Sequence, residues 1–522
     1  MMPAALHLGF LDSAVLIGYV AILASIGWWA ARRTAKTTDD YFLASRSIPW
    51  LVTAASFTAT CISALTFIGT PAVGYSGDYR YLLSNPGDMI AVFFIALVFL
   101  PHFQKLRVTS IYQAVAERFG PGARTTCSAY FLVTRTLAST VRIVAIAKVL
   151  EVVSGGGLSY NYCVVIVIAG ILAYTTIGGG RAIAWTDLMQ FTLLTSGAVI
   201  ALVYIINHVP GGVPTIMDLG KHAVKPDGTV YNKFNFLEMF TPANLGLLVV
   251  MTLWGTFNSS AAYGTDQDMA QRLLACNNNR KARWSLILTG IIGIPIAFTF
   301  LSIGVGLYAY AHFHPELIAG MTDPDHVFPR FILNVMPHGL RGLMLAAVAS
   351  AAMGSADSAL ASLSTVFIMD FYKPFWGKGD SEARIVKISK ISFVGFGLLF
   401  LVFALCLSKL DSLLWLAFRL VSFTYGPLLG IFCVAVMTNW KLSTWKVLPL
   451  MLTPTLLTFG TSMTAWWMAT HGGGHFWQEL HGNYWQFYIM FGALFVPFGA
   501  WLLRENRDSA EVPVPAAISQ NA

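Results

Sequence analysis

Runs of about 20 mostly apolar residues recur along the chain, starting near residues 12, 50, 86, 123, 159, 183, 243, 284, 340, 386, 411, 446 and 484. Wound as a helix, a run of that length crosses the hydrocarbon core of a bilayer. No water is available there for backbone polar groups, so each run has to satisfy its own N–H and C=O groups as a helix. The pattern predicts an all-α membrane protein with about thirteen transmembrane helices. Composition agrees. Of 522 residues, 56% are hydrophobic and 11% charged, whereas soluble proteins carry about 25% charged residues. The first run, 14–31, lacks a basic leading segment and is followed by Arg32 and Arg33, which predicts a retained span rather than a cleaved signal peptide.

The net charge of +8 comes from Lys and Arg scattered over the connecting segments. That distribution speaks for orientation in a membrane and against a nucleic-acid partner. Arg80, Lys221, Lys225, Lys233, Arg330, Arg341 and Lys409 fall on one side, Arg135, Arg142, Lys148 and Arg419 inside runs, and the rest of the 33 on the other side. The positive-inside bias places the N-terminus outside and the C-terminus in the cytoplasm of a plasma-membrane, multi-pass protein. Cys61, Cys127, Cys163, Cys276, Cys406 and Cys433 form no CxxC pair, which predicts free buried thiols and no cysteine metal site. The three histidines of 471–481 have no metal-ligand spacing, the polar stretch Asn207–Thr241 has room for a short surface helix, and the tail 505–522 is expected to be disordered.

Two segments carry chemistry. The run beginning near residue 340 contains Met353-Gly-Ser-Ala-Asp-Ser358, small and hydroxylic with a carboxylate at Asp357. A charged side chain in a span is costly and marks a functional site by default. Ala351, Ser355 and Ser358 share one helical stripe, and hydroxyls beside a carboxylate suit a small hard cation such as sodium; close helix packing through small residues is the alternative. The second run, Ala54–Pro71, is dense in Ser and Thr and contains Gly69 and Pro71. Either it is a broken helix whose freed carbonyls bind a cation, or it is continuous with its hydroxyls bonded back to the preceding turn.

Tyr41–Trp50 with Ala59–Gly69, Tyr174–Arg181 with Trp185–Gln190, Gly264–Arg272, Ser355–Tyr372 and Thr424–Gly430 occur in the order found in the sodium:solute symporter family, which this chain resembles over roughly residues 10–440. The resemblance implies a leucine-transporter-like core, a five-plus-five inverted repeat preceded by one helix and followed by two. In this sequence that means a single transporter domain, 1–504, with 12–33 first, the repeats at 50–207 and 243–438, and two final helices in 446–504. It implies a sodium site at Ala59, Ile62, Ala351, Gly354 and Ser355; many members have Ser where this chain has Gly354, so one side-chain oxygen is missing. It implies a second cation site at Asp187, Asp357 and Ser358. In its first core helix the chain is nearest the sialic-acid branch, which implies Arg142 as the carboxylate partner and Cys61, Ser63, Thr66, Tyr81, Asn85, Ser259 and Arg419 as further substrate contacts.

The expected activity is sodium-coupled secondary active uptake of a small organic solute, favoured to be an acidic sugar or organic acid such as sialic acid, by a monomer in the lipid bilayer. The alternatives are a neutral sugar or polyol as solute and, in another class, a channel or sensor. No nucleophile with its base and no metal cluster is legible, so no enzyme is expected.

Overall fold

The computed structural model describes residues 9–32, 36–154, 157–224, 228–235, 241, 244–407, 413–471 and 486–504. The long helices are α1 (Phe10–Ala31), α2 (Trp50–Cys61), α3 (Ala64–Ser76), α4 (Asn85–Phe94), α5 (Pro121–Val153), α6 (Tyr160–His208), α7 (Leu245–Thr265), α8 (Gln267–Ala275), α9 (Asn279–Phe313), α10 (Leu340–Val366), α11 (Glu382–Cys406), α12 (Leu413–Met437), α13 (Thr444–Thr470) and α14 (Gln486–Leu503). Among the described residues, 11 helices are long and apolar enough to cross a membrane, or up to 12 when the bent pair α2–α3 counts as one span. The expected thirteen is not confirmed by that tally, which leaves out the apolar first part of α6 before its kink at Gly179. Their outward faces, among them Ile17, Leu97, Val165, Leu398 and Phe498, are exposed apolar surface, as lipid contact requires.

Three breaks interrupt the bundle, and each has a local cause. The last ladder bond of α2 runs from the Ile62 N–H to the Thr58 carbonyl at 3.0 Å. Ile62 (φ −91°, ψ 90°) and Ser63 (φ −84°, ψ 171°) are then extended, and the chain resumes at 56° to α2. Thr58 and Thr60 nevertheless bond back to the carbonyls of Ala54 and Ser56 at 2.8 and 2.9 Å. Hydroxyl back-bonding and the break therefore coexist. α6 is kinked at Gly179, whose φ is +57°; a side chain there would also meet the Tyr41 carbonyl at 2.6 Å. The third break lies between α7 and α8 at Asp266, which turns extended and caps α8 by accepting from the Asp268 N–H at 2.9 Å.

Helix crossings are tight where glycine faces backbone: Gly304 of α9 against Pro71 of α3, and Gly87 of α4 against the α7 backbone at Thr252. Small residues permit this approach, and packing is what holds membrane helices together. The polar stretch after α6 holds the short helix Gly212–Lys221 and a two-stranded hairpin pairing Ala223 with Tyr231 and Val224 with Val230. Next to it Lys233 is fully buried, and its Nζ donates to the carbonyls of Gly74, Tyr75 and Gly77 at 3.2, 2.7 and 2.8 Å. It thereby satisfies carbonyls that the end of α3 leaves open. All six cysteines are free, but Cys406 is exposed and Cys61 and Cys433 are only partly covered, which corrects the expectation of uniform burial. The tail 505–522, Lys409 and most of the histidine segment lie outside the described residues.

Candidate functional site

The break between α2 and α3 packs against α10, and Ile62 and Ala351 share one buried cluster. Ala59, Ile62, Ala351, Gly354 and Ser355 are all buried. Ser355 Oγ reaches the Ala351 carbonyl at 3.2 Å. Among the described residues, no hydrogen bond is donated to the Ala59 carbonyl. The end of a broken helix thus lies beside a hydroxyl-bearing helix, and backbone carbonyls with hydroxyls are the type of donor set that a sodium ion takes.

Ile62 also lines a cavity of about 230 Å³ between α2–α3, α4, α5, α7 and α9. Of the substrate residues expected from sequence, Cys61, Thr66, Tyr81, Asn85, Arg142 and Ser259 line it. Ser63 and Arg419 do not. Ser63 is buried, its carbonyl accepting from the N–H groups of Thr66 and Phe67 at 2.9 and 3.0 Å, and Arg419 lies on α12 outside the lining. Arg142 Nη1 is buried in the cavity wall without a hydrogen-bond partner. Asp187 pairs with Arg272 and Glu151 accepts from the Tyr160 N–H, and among the described residues neither pairs with Arg142.

The cavity also contains Asp88, which sequence reasoning did not single out. It lies on α4 and accepts from Ser259 Oγ at 2.5 Å. The rule that flagged Asp357, a carboxylate inside an apolar run, applies equally to Asp88 and would have found it.

Beneath the cavity lies a linked group of buried charges. Arg135 bonds Asp266 at 3.2 Å and also Asp268. Arg272 bonds Asp268 at 2.7 Å, Asp187 at 3.1 Å, and Ser358 Oγ. Asp187 Oδ2 takes a further bond from Ser56 at 2.5 Å, and Tyr425 donates to Asp266 at 2.6 Å. Asp187 and Ser358, expected from sequence to share a cation, are therefore brought together, and a guanidinium stands between them. Asp357 is fully buried and accepts from Ser358 Oγ at 3.0 Å. Arg272 went unrecognised because apolar-run counting places it in a connecting segment, whereas α8 folds back into the protein with every residue buried. A second ion pair, Arg124–Asp370 at 2.8 Å, is held by Ser110 and Ser128 at 2.5 and 2.7 Å.

The sodium:solute symporter family profile matches residues 41–443. The chain belongs to that family. Family members similar to it include the sodium/sialic acid symporter SiaT of Proteus mirabilis (strain HI4320), 28% identical over 433 residues, covering 82% of this chain and 85% of that protein. The human sodium-coupled monocarboxylate transporter 1 is 28% identical over 449 residues, covering 84% and 71%. The sodium/glucose cotransporter of Vibrio parahaemolyticus is 26% identical over 404 residues, covering 74% and 73%. A solved structure of a Na+-coupled sialic acid symporter in a substrate-bound outward-open state superposes with a TM-score of 0.80 at 24% identity, covering 95% of this chain and 99% of that one. That likeness establishes the fold expected from the sequence. The chain is a sodium-coupled symporter of the membrane, not an enzyme.

Proposed function

We propose that this symporter imports a small acid bearing several hydroxyls, an acidic sugar such as sialic acid, driven by sodium bound at Ala59, Ile62, Ala351, Gly354 and Ser355. The observation that carries the substrate class is the unpartnered Arg142 Nη1 in a cavity that also holds Thr66, Asn85, Ser259 and Asp88. A guanidinium offers a planar fork that fits a carboxylate with two parallel hydrogen bonds. An ionised carboxylate such as Asp88 accepts only, so it suits the hydroxyl donors of a sugar and gives nothing to a bare short acid. Two of the similar proteins are sodium/sialic acid symporters, which supports the same class.

Ile62 belongs both to the cavity wall and to the sodium donor set, so one break touches both ligands. Sodium bound there favours the conformation in which the break is formed, and with it the solute site. Residues 50–207 and 243–438 act as the two five-helix units that move against each other around the midplane. The basic-residue bias orients the N-terminus outward and the C-terminus, with residues 505–522, in the cytoplasm. A cavity walled by helices of one chain suits a monomer.

The test is uptake of a labelled acidic sugar into proteoliposomes under an imposed sodium gradient, with no membrane potential and no proton gradient. Accumulation is expected only with sodium, and Ser355→Ala raises the sodium concentration for half-maximal uptake by the loss of one oxygen, about 1–3 kcal/mol. Equal accumulation without sodium would overturn the coupling.

A further inference from the structure

At Gly354 of α10 a side chain fits only if the end of the Gln190 side chain moves away. A Cβ there would collide with Gln190 Oε1 and stand 3.4 Å from Asp187 Oδ1. Both side chains come from α6, three residues apart, and so share one face. Gln190 is 1% exposed, yet neither its Oε1 nor its Nε2 has a hydrogen-bond partner. Asp187 Oδ1 has none either. The Tyr19 hydroxyl of α1 bonds Met353 Sδ at 3.5 Å and lies close enough to Gln190 and Ser350 to interact with both. Leaving a buried polar group unsatisfied is costly, so the two oxygens that face Gly354, Gln190 Oε1 and Asp187 Oδ1, call for a ligand that accepts nothing, while the Gln190 Nε2 donor is left for another acceptor.

The charge count points the same way. The linked group opposes three carboxylates, Asp187, Asp266 and Asp268, with two guanidiniums, Arg135 and Arg272. Carboxylates outnumber guanidiniums in these direct ion pairs, and the Asp187 oxygen not engaged by Arg272 and Ser56 is the one that faces Gly354. Buried charge of that kind is held by a counter-charge. Oxygen donors from an amide and a carboxylate suit a hard cation.

We propose that Gln190 Oε1 is a sodium ligand in this protein, standing in for the side-chain oxygen that Gly354 lacks, and that with Asp187 Oδ1 it draws the ion toward α6. The glycine is then a requirement of the site: it is the vacancy into which the carboxamide fits. This rests on the sodium-coupled reading above.

The experiment titrates sodium against the thermal stability of purified protein, with choline replacing sodium at constant ionic strength, since an ion that binds the folded state raises its melting temperature. Gln190→Leu removes the oxygen and raises the sodium midpoint about tenfold, the factor for about 1.4 kcal/mol. Gly354→Ala does the same from the other helix by expelling the carboxamide. Gly354→Ser with Gln190→Ala returns an oxygen and relieves the crowding, so its midpoint moves back toward wild type. An unchanged midpoint in Gln190→Leu, with the wild type stabilised by sodium, overturns the role of Gln190 and leaves sodium coupling intact. Absence of any sodium effect in the wild type overturns sodium coupling itself. Should Gln190→Leu fail to fold, Gly354→Ala against the double variant decides: recovery in the double variant supports the assignment, and equal midpoints in both contradict it.

Discussion

Arg135 and Arg142 stand two turns apart on α5, so they share a face of one helix, yet their surroundings are opposite. Arg135 meets Asp266 and Asp268 and is 2% exposed. Arg142 opens on the cavity with Nη1 unpartnered. A buried guanidinium with two carboxylates is part of the architecture, locking α5 to the α7–α8 break. One with none is waiting for a ligand that brings the charge. The lesson is that a cation within a span identifies a site only once its partners are counted.

The comparison breaks most visibly under truncation of each arginine. Arg135→Met leaves Asp266 without a counter-charge and Asp268 with Arg272 alone, and should cost about 3–5 kcal/mol, seen as loss of folded protein in detergent by size-exclusion chromatography. Arg142→Met strands nothing in the ligand-free protein. Its melting temperature should stay within a few degrees of wild type, while solute binding falls by about 2–5 kcal/mol, measured by calorimetry in saturating sodium. If both variants unfold alike, the distinction between the two regions fails.

Asp88→Asn sharpens the description of the cavity. The amide keeps the shape and the bond with Ser259 but weakens the acceptor, so a polyhydroxylated acid should lose about 1–3 kcal/mol of binding. A short monocarboxylate should lose nothing, and competition for uptake by the two compounds reads the difference.

A pH-dependent effect belongs to Lys233. Burial pushes its ammonium down to about 7, against a smaller opposing pull from Asp78. The unfolded chain then holds that proton over a pH range in which the folded chain has released it, so stability rises with pH from about 7 toward the ordinary lysine value. Lys233→Met should remove that slope, and melting temperatures of the two proteins at pH 6.5 and 9 compare it.

Much of this was legible in the sequence because membranes impose strict rules. Apolar run length announced the helices, Ser/Thr density left a break in the second run as one of two readings, with Gly69 and Pro71 turning out to lie inside α3 rather than at the break, and an arginine inside a span announced Arg142. Six of the eight expected substrate residues line one cavity. What escaped depended on distance rather than composition. α8 has an ordinary charged sequence and gave no sign that Arg272 would reach Asp187. Gln190 was visible only as part of a motif, and the emptiness at Gly354 acquires meaning only beside it. Lys233 looked like loop charge because nothing in its neighbours foretold a cage of carbonyls at the end of α3.

The most direct test of the cavity's chemistry compares binding of an acidic sugar with binding of its amide, in sodium, by wild type and by Arg142→Ala and Arg142→Lys. Wild type should prefer the acid by at least tenfold, Arg142→Ala should bind both equally weakly, and Arg142→Lys should not restore the preference, because a point charge lacks the planar fork. Equal affinity of wild type for acid and amide would contradict a carboxylate at Arg142 and leave a neutral sugar or polyol as the solute.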